Sequence, residues 1–280
     1  MKPGANQPFG KKRQTMTQPE TSYDPEFFEP LFAIEDRHFW FQARNRMVAA
    51  LTRQATESLE GGFQVMEIGF GTGNVLRVLE SVCDKGRVYG MDLFDEGGHF
   101  ARSRVSVPLI KGDVLAAPFG SCFDLVCLFD VLEHIGGEDK ALKAVFDLLK
   151  PGGRLLLTVP AFQSLWSYFD EAAHHVRRYS RQTLINSLRK AGFEVEFASY
   201  TMMSIFPLVW AGRRLASLRR SKSDQPSDAQ VEALAMNELR VTPLVNPILA
   251  GVLGLENLLT TRRIELPFGT SLVALARRSN

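Results

Sequence analysis

Val65-Met66-Glu67-Ile68-Gly69-Phe70-Gly71-Thr72-Gly73-Asn74 runs from an apolar strand through three alternating glycines into a helix start. Glycines let the backbone turn tightly and let a ligand approach without meeting a Cβ. The first turn of the following helix offers free N–H groups and partial positive charge. In a doubly wound sheet this is where nucleotide-like ligands bind. The dinucleotide fingerprint G-x-G-x-x-G is not met: Gly73 comes one residue early and Asn74 fills the expected place.

Outward from this loop, short apolar runs alternate with helical patterns. The runs are Phe63 to Ile68, Arg87 to Met91, Val107 to Ile110, Phe123 to Phe129, Gly153 to Val159 and Phe193 to Tyr200. Helical patterns occupy Thr72 to Val82, Glu138 to Leu149 and Ser180 to Ala191, and Lys150-Pro151-Gly152-Gly153 reads as a sharp stop before the fifth run. Such alternation predicts βαβ units and a parallel sheet. Upstream, an aromatic stretch from Tyr23 leads into an amphipathic helix over Asn45 to Leu59. Downstream of Tyr200 the alternation breaks into apolar stretches around a polar segment, Arg219 to Ala229, before a last strand-like run, Thr270 to Ala276.

The chain has 280 residues, a net charge of +2, 45% hydrophobic residues and 23% charged ones. That suits a globular protein and is far less basic than a dedicated nucleic-acid binder. Cys83, Cys122 and Cys127 are odd in number and fit no disulfide framework, so buried thiols and a cytoplasmic setting are expected. The first twenty residues are basic without a following apolar core, which predicts a disordered arm rather than a signal peptide.

The acid Glu67 before Gly69, Gly71 and Gly73 gives an E-x-G-x-G-x-G form that resembles the first motif of class I S-adenosylmethionine methyltransferases. Phe123 to Ile135, with its Glu133-His134 pair, and Lys150-Pro151-Gly152-Gly153 resemble later motifs of that family, in the right order. His38-Phe39-Trp40-Phe41-Gln42-Ala43-Arg44 and the stretches around Trp166, His174 to Ser180 and Leu266 to Ser271 resemble a bacterial subgroup with largely unassigned small-molecule acceptors. The resemblance implies a Rossmann-like, mainly parallel seven-stranded sheet with a final antiparallel strand. It implies S-adenosylmethionine as cofactor and S-adenosylhomocysteine as product. Expected cofactor-binding residues are Glu67, Gly69, Gly71, Gly73, Asp92, Leu93, Asp113, Val114, Phe129 and Asp130. Asp92, about 20 residues past the loop, is placed for the ribose hydroxyls. The family places an acid at Asp113 on the adenine amino group, with Val114 against the ring. Expected divisions are an arm over 1–22, a helical lid over 23–62, the cofactor-binding core over 63–200, a helical insertion over 201–268 and a final strand over 269–280.

A sulfonium methyl is already electrophilic, so the protein must chiefly align an acceptor and exclude water. A base is needed only for an acceptor that must lose a proton. His134, His174 and His175 are the candidates, with Asp170 and Glu171 placed to orient the latter pair or to face water. His38, Trp40, Arg44, Trp166, Arg178 and Tyr179 are candidates for the acceptor side. No spacing matches a transition-metal site, so none is expected. A methyltransferase-like binding protein without turnover and a nicotinamide-dependent dehydrogenase are the rival readings. The insertion, with apolar stretches ending in Arg213-Arg214 and Arg262-Arg263, is expected to form a lid beside the acceptor pocket. A homodimer surface and a peripheral contact with the inner membrane are its alternatives, the latter implying a lipid-like acceptor.

Overall fold

The computed structural model describes residues 25–219 and 240–279. The expected arm over 1–22 and nearly all of the polar segment lie outside them. Seven strands form one sheet: β1 (Gln64–Ile68), β2 (Arg87–Asp92), β3 (Leu109–Lys111), β4 (Phe123–Phe129), β5 (Leu149–Pro160), β6 (Phe193–Thr201) and β7 (Ser271–Arg278). Their order is β3-β2-β1-β4-β5-β7-β6. The strands from β3 to β5 pair parallel, whereas β7 runs antiparallel to both β5 and β6. The order reverses between β1 and β4, so the loops leaving these strands diverge and open a crevice at their carboxyl ends.

Both faces of the sheet are covered, which is why its strands read as continuous apolar runs. Along β4, Val126 and Leu128 join one core with Met66, Leu155 and Leu157. Leu125, Cys127 and Phe129 point the other way and pack with Val65, Leu76 and Leu156. Each such buried side chain contributes roughly 1.5–3 kcal/mol relative to exposure. All three cysteines are free thiols, with Cys83 and Cys127 buried and Cys122 partly so.

The flanking helices are α1 (Phe28–Ile34), α2 (Phe39–Thr56), α3 (Asn74–Val82), α4 (Asp95–Ala101), α5 (Glu138–Leu148), α6 (Tyr168–Ala172), α7 (Arg181–Lys190), α8 (Phe206–Arg219) and α9 (Val245–Thr261). Three differ from the sequence reading, among them the short α6, which a Ser167–Asp170 capping box starts. Helix α2 begins six residues earlier than Asn45, because His38 caps it: its Nδ1 accepts the Trp40 N–H at 3.3 Å. Helix α4 was not expected, since Gly97 and Gly98 weaken helix propensity. Its reason is packing: a Cβ on Gly97 would lie 2.5 Å from the Gly71 carbonyl oxygen, so glycine lets α4 press against the glycine loop. The expected stop at Lys150 to Gly153 is instead an irregularity within β5, where Gly152 has φ 77° and the register with β4 shifts.

The long connection between β6 and β7 supplies α8 and α9. Helix α9 lies along α2, where Asn246 accepts from the Phe39 N–H at 2.8 Å and Asn257 donates to the Ala43 carbonyl at 2.7 Å. Glu256 interrupts the apolar run of α9 for a reason. Its carboxylate accepts the N–H groups of Met203 and Ser204 at 2.9 and 2.8 Å, and so caps the turn that leads into α8. Among the described residues, no helix is long and apolar enough to cross a membrane.

Candidate active site

The three loop glycines do different work. Gly69, at φ 77°, lies under Val131, whose Cγ2 would sit 2.3 Å from an added Cβ. Gly71, at φ 51°, borders the crevice, where an added Cβ would meet only Phe28 at 3.6 Å. Gly73, at φ 78°, leads into α3, and a Cβ there would strike the Ala101 backbone at 2.9 Å. Asp92, at the end of β2, holds the loop: its carboxylate accepts the Gly71 N–H at 2.8 Å and the Phe94 N–H at 2.9 Å.

These residues border a cavity of about 830 Å³ at the carboxyl ends of β1, β2 and β4. Of the expected cofactor residues it reaches Glu67, Gly69, Gly71, Asp92, Leu93, Asp113, Val114, Phe129 and Asp130, and Gly73 stays outside in the helix junction. Of the expected acceptor and catalytic residues it reaches His38, Trp40, Arg44, His134, His175 and Arg178. Trp166 lies outside it, as does the exposed His174 with φ 54°; Tyr179 is buried in the core beneath. Phe94, Leu115 and Glu133 line the cavity without having been assigned a role from the sequence. All three sit beside assigned residues in the chain, Phe94 after Leu93, Leu115 after Val114 and Glu133 before His134. Glu133 was visible in the Glu133-His134 motif, but nothing in the sequence marks it as buried.

One end of the cavity is acidic. Glu67 is buried, and its Oε2 has no hydrogen-bond partner among the described residues. Burial pushes its carboxyl up to about 8; the nearby Arg44 charge opposes this and Asp92 adds to it. Burial also raises Asp92, against the pull of the N–H bonds from Phe94, Gly71 and Leu93. Arg44 reaches across from α2 to pair with Asp130 at 3.0 Å and lies over the Trp40 ring, 5.0 Å from its centroid. The Asp130 carboxylate also accepts from Thr158 Oγ1 at 3.1 Å. Two residues assigned to different ligands thus hold each other. The segment before α2 is further tied to the loop by Glu35, which pairs with Arg104 and accepts from Thr72, both in short contacts.

The other end carries the histidines. His175 Nδ1 is 2.9 Å from Asp170 Oδ1, and its Nε2 is 3.9 Å from Glu133 Oε1. Asp170 also accepts from Arg178 at 2.6 and 3.1 Å. Burial alone would raise Asp170, but the His175 hydrogen bond and the Arg178 charge outweigh it and bring its carboxyl to about 2. The His134 ring meets His175 edge to face at 4.7 Å. Burial, with the neighbouring His175 and His174 charges, lowers His134 to about 3, so its imidazole is neutral throughout the physiological range. Such a ring holds a proton too weakly to be an effective base near pH 7.

The cavity suits the cofactor that the motifs imply. A carboxyl with an unpartnered oxygen at Glu67, the Asp92 carboxylate and a glycine border answer a cationic amino acid and a ribose. Asp113 with Val114, Leu115 and Phe94 supplies a polar group beside apolar faces, as a purine requires.

Comparison with known proteins agrees. The methyltransferase-domain family matches residues 35–197, and the chain belongs to that family. It is a class I methyltransferase-fold protein whose cofactor is S-adenosylmethionine. Among its relatives, the ubiquinone/menaquinone biosynthesis C-methyltransferase UbiE of Vibrio vulnificus is 28% identical over 127 residues, covering 41% of this chain and 49% of that protein. The chain therefore spans about half the length of these curated relatives. A Mycolicibacterium smegmatis protein named "Probable S-adenosylmethionine-dependent methyltransferase" is 25% identical over 224 residues, covering 75% of this chain and 84% of that one. The fold resembles phosphoethanolamine N-methyltransferase 2 of Haemonchus contortus in complex with S-adenosyl-L-methionine, with TM-score 0.53, 19% identity, and 84% and 53% of the two chains covered. It also resembles the [4+2]-cyclase SpnF, with TM-score 0.53, 21% identity, and 86% and 82% covered.

Proposed function

We propose that this protein transfers the methyl group of S-adenosylmethionine to a small, apolar or lipid-like acceptor. The observation that carries the reading is the continuity of one cavity. It starts at the glycine loop with Glu67 and Asp92, passes His175, and ends among Ile205 and the α8 residues Leu208 and Val209. Glu67, Asp92 and Asp113 would hold the cofactor, which supplies an electrophilic methyl when bound. Phe28, Phe39 and Trp40 cover the cavity and exclude water, which strengthens every electrostatic contact inside. Asp170 fixes the His175 ring through Nδ1 and leaves Nε2 facing the cavity to take a proton from an acceptor hydroxyl.

The insertion supports a lipid-like acceptor. Helix α9 turns its polar residues inward: Glu256 and Thr260 are 5% and 0% exposed. Its outward stripe is Val245, Ile248, Val252, Leu255 and Leu259, with Ile248 and Leu255 at 66% and 70% exposure. Exposed Arg262 and Arg263 follow at its end. An apolar face next to paired arginines fits the surface of an anionic bilayer. Methyl-labelled cofactor mixed with organic and aqueous fractions of a bacterial extract tests the proposal. Label should appear in an organic-phase product and fall about a hundredfold with His175→Gln. Label only in the aqueous fraction would overturn the lipid-like acceptor, and label in neither would overturn methyl transfer.

A further inference from the structure

Glu133 is fully buried beside the cavity, and neither of its carboxylate oxygens has a hydrogen-bond partner among the described residues. Its acidic neighbours are served: Asp130 has Arg44 and Asp170 has Arg178. A buried carboxyl without a partner is costly, and it must hold either a proton or a cation. Two imidazoles stand against it. One donor atom from each of Glu133, His134 and His175 lies within 4.8 Å of the other two.

We propose that Glu133, His134 and His175 bind one divalent transition-metal ion, zinc first among them, at the histidine end of the cavity. Two histidines and a carboxylate form a known three-ligand set for zinc that leaves a fourth position open. All three residues line the cavity, so that position would face it. Ligands about 2.0–2.2 Å from zinc stand roughly 3.3–3.5 Å apart in a tetrahedron. The observed 3.9 Å between His175 Nε2 and Glu133 Oε1 is within a few tenths of an ångström of that spacing.

The surroundings are those of a metal site. Ligating histidines usually give their other ring nitrogen to a carboxylate or a backbone carbonyl, which fixes the tautomer. His175 does so toward Asp170, and Arg178 and the Ser167 N–H hold Asp170 in turn. Backbone groups at Ala173 and His174 hydrogen-bond His134. The two loops are also stitched together, since the Val176 N–H donates to the Glu133 carbonyl at 2.9 Å. Glu133 and His175 are 42 positions apart, so no sequence spacing announces the set. If the methyl-transfer reading holds, a bound ion would occupy His175 Nε2 and would itself acidify an acceptor hydroxyl in place of that base, so the open position would select acceptors that present an oxygen donor.

Metal binding by the full chain, stripped with a chelator, tests this without any turnover. Titration with Co²⁺ should give visible absorption bands that saturate near one ion per chain, and Zn²⁺ should displace them. Glu133→Gln and His175→Ala should abolish the bands. Asp170→Asn should weaken binding by about 10–100-fold, and His174→Gln, outside the set, should leave it unchanged. S-adenosylhomocysteine binding, measured on each protein by calorimetry, should persist and show that the variants are folded. Absence of a saturable Co²⁺ signal in the wild-type chain overturns the proposal, as does an undiminished signal in folded Glu133→Gln. In either case the cofactor site stands, and Glu133 is a buried carboxylic acid.

Discussion

Replacing Glu67 with Gln isolates the acid beneath the glycine loop. In the unfolded chain this carboxyl titrates near 4.5, whereas burial in the fold moves it to about 8. The folded state therefore holds the proton more tightly. The resulting stabilisation is fully present below pH 4.5 and is lost as the pH rises toward 8. Over that window the loss is about 1.4 kcal/mol per pH unit, so it amounts to roughly 3 kcal/mol between pH 5.5 and 7.5. Gln keeps the volume of the side chain but does not titrate. Urea unfolding of both proteins at the two pH values, followed by tryptophan fluorescence, gives the difference in stability. Wild type should lose roughly 3 kcal/mol relative to Glu67→Gln between pH 5.5 and 7.5. A difference independent of pH would show that Glu67 is ionised in the fold, and would refute the account of that end of the cavity.

Gly97→Ala should lower stability by about 1–3 kcal/mol through overpacking, because its Cβ would press on the Gly71 carbonyl. Thermal unfolding reads this, and unchanged stability would detach α4 from the loop argument. Wild-type protein should float with anionic vesicles and much less with neutral ones. Serine at both Ile248 and Leu255 should abolish flotation, and failure of wild type to float would remove the bilayer from the proposal.

The sheet was legible because its strands are buried on both faces, and Phe123 to Phe129 reads as a strand from its apolar run alone. The insertion was legible from chain length between the last two strands, which pair antiparallel with one register shift between Val195 and Phe197. Helix α4 was not, because propensity argues against Asp95-Glu96-Gly97-Gly98 and only the close approach to Gly71 explains it. Within the site, nine of the ten residues expected on the cofactor side border the cavity, those from Glu67 to Leu93 expected from the loop and its spacing and those from Asp113 to Asp130 from the family resemblance. The histidine end was less so. Residues close in sequence part company there: His175 faces the cavity while His174 is turned out by a left-handed backbone. Arg44 and Asp130 each read as ligand contacts, whereas the fold pairs them with each other. Pairings across 86 positions depend on how α2 crosses the crevice, which no local pattern encodes.

S-adenosylmethionine, rather than a nicotinamide dinucleotide, is the ligand assigned to the cavity at the glycine loop. Calorimetry with S-adenosylhomocysteine and NAD tests this assignment most directly, on wild type and on Asp92→Ala. S-adenosylhomocysteine should bind saturably and NAD should not bind. Asp92→Ala should lose roughly 1.5–3 kcal/mol or more of that binding, because it removes charge-assisted hydrogen bonds from both loop and ligand. Binding of NAD by wild type, or full S-adenosylhomocysteine affinity in folded Asp92→Ala, would contradict the assignment.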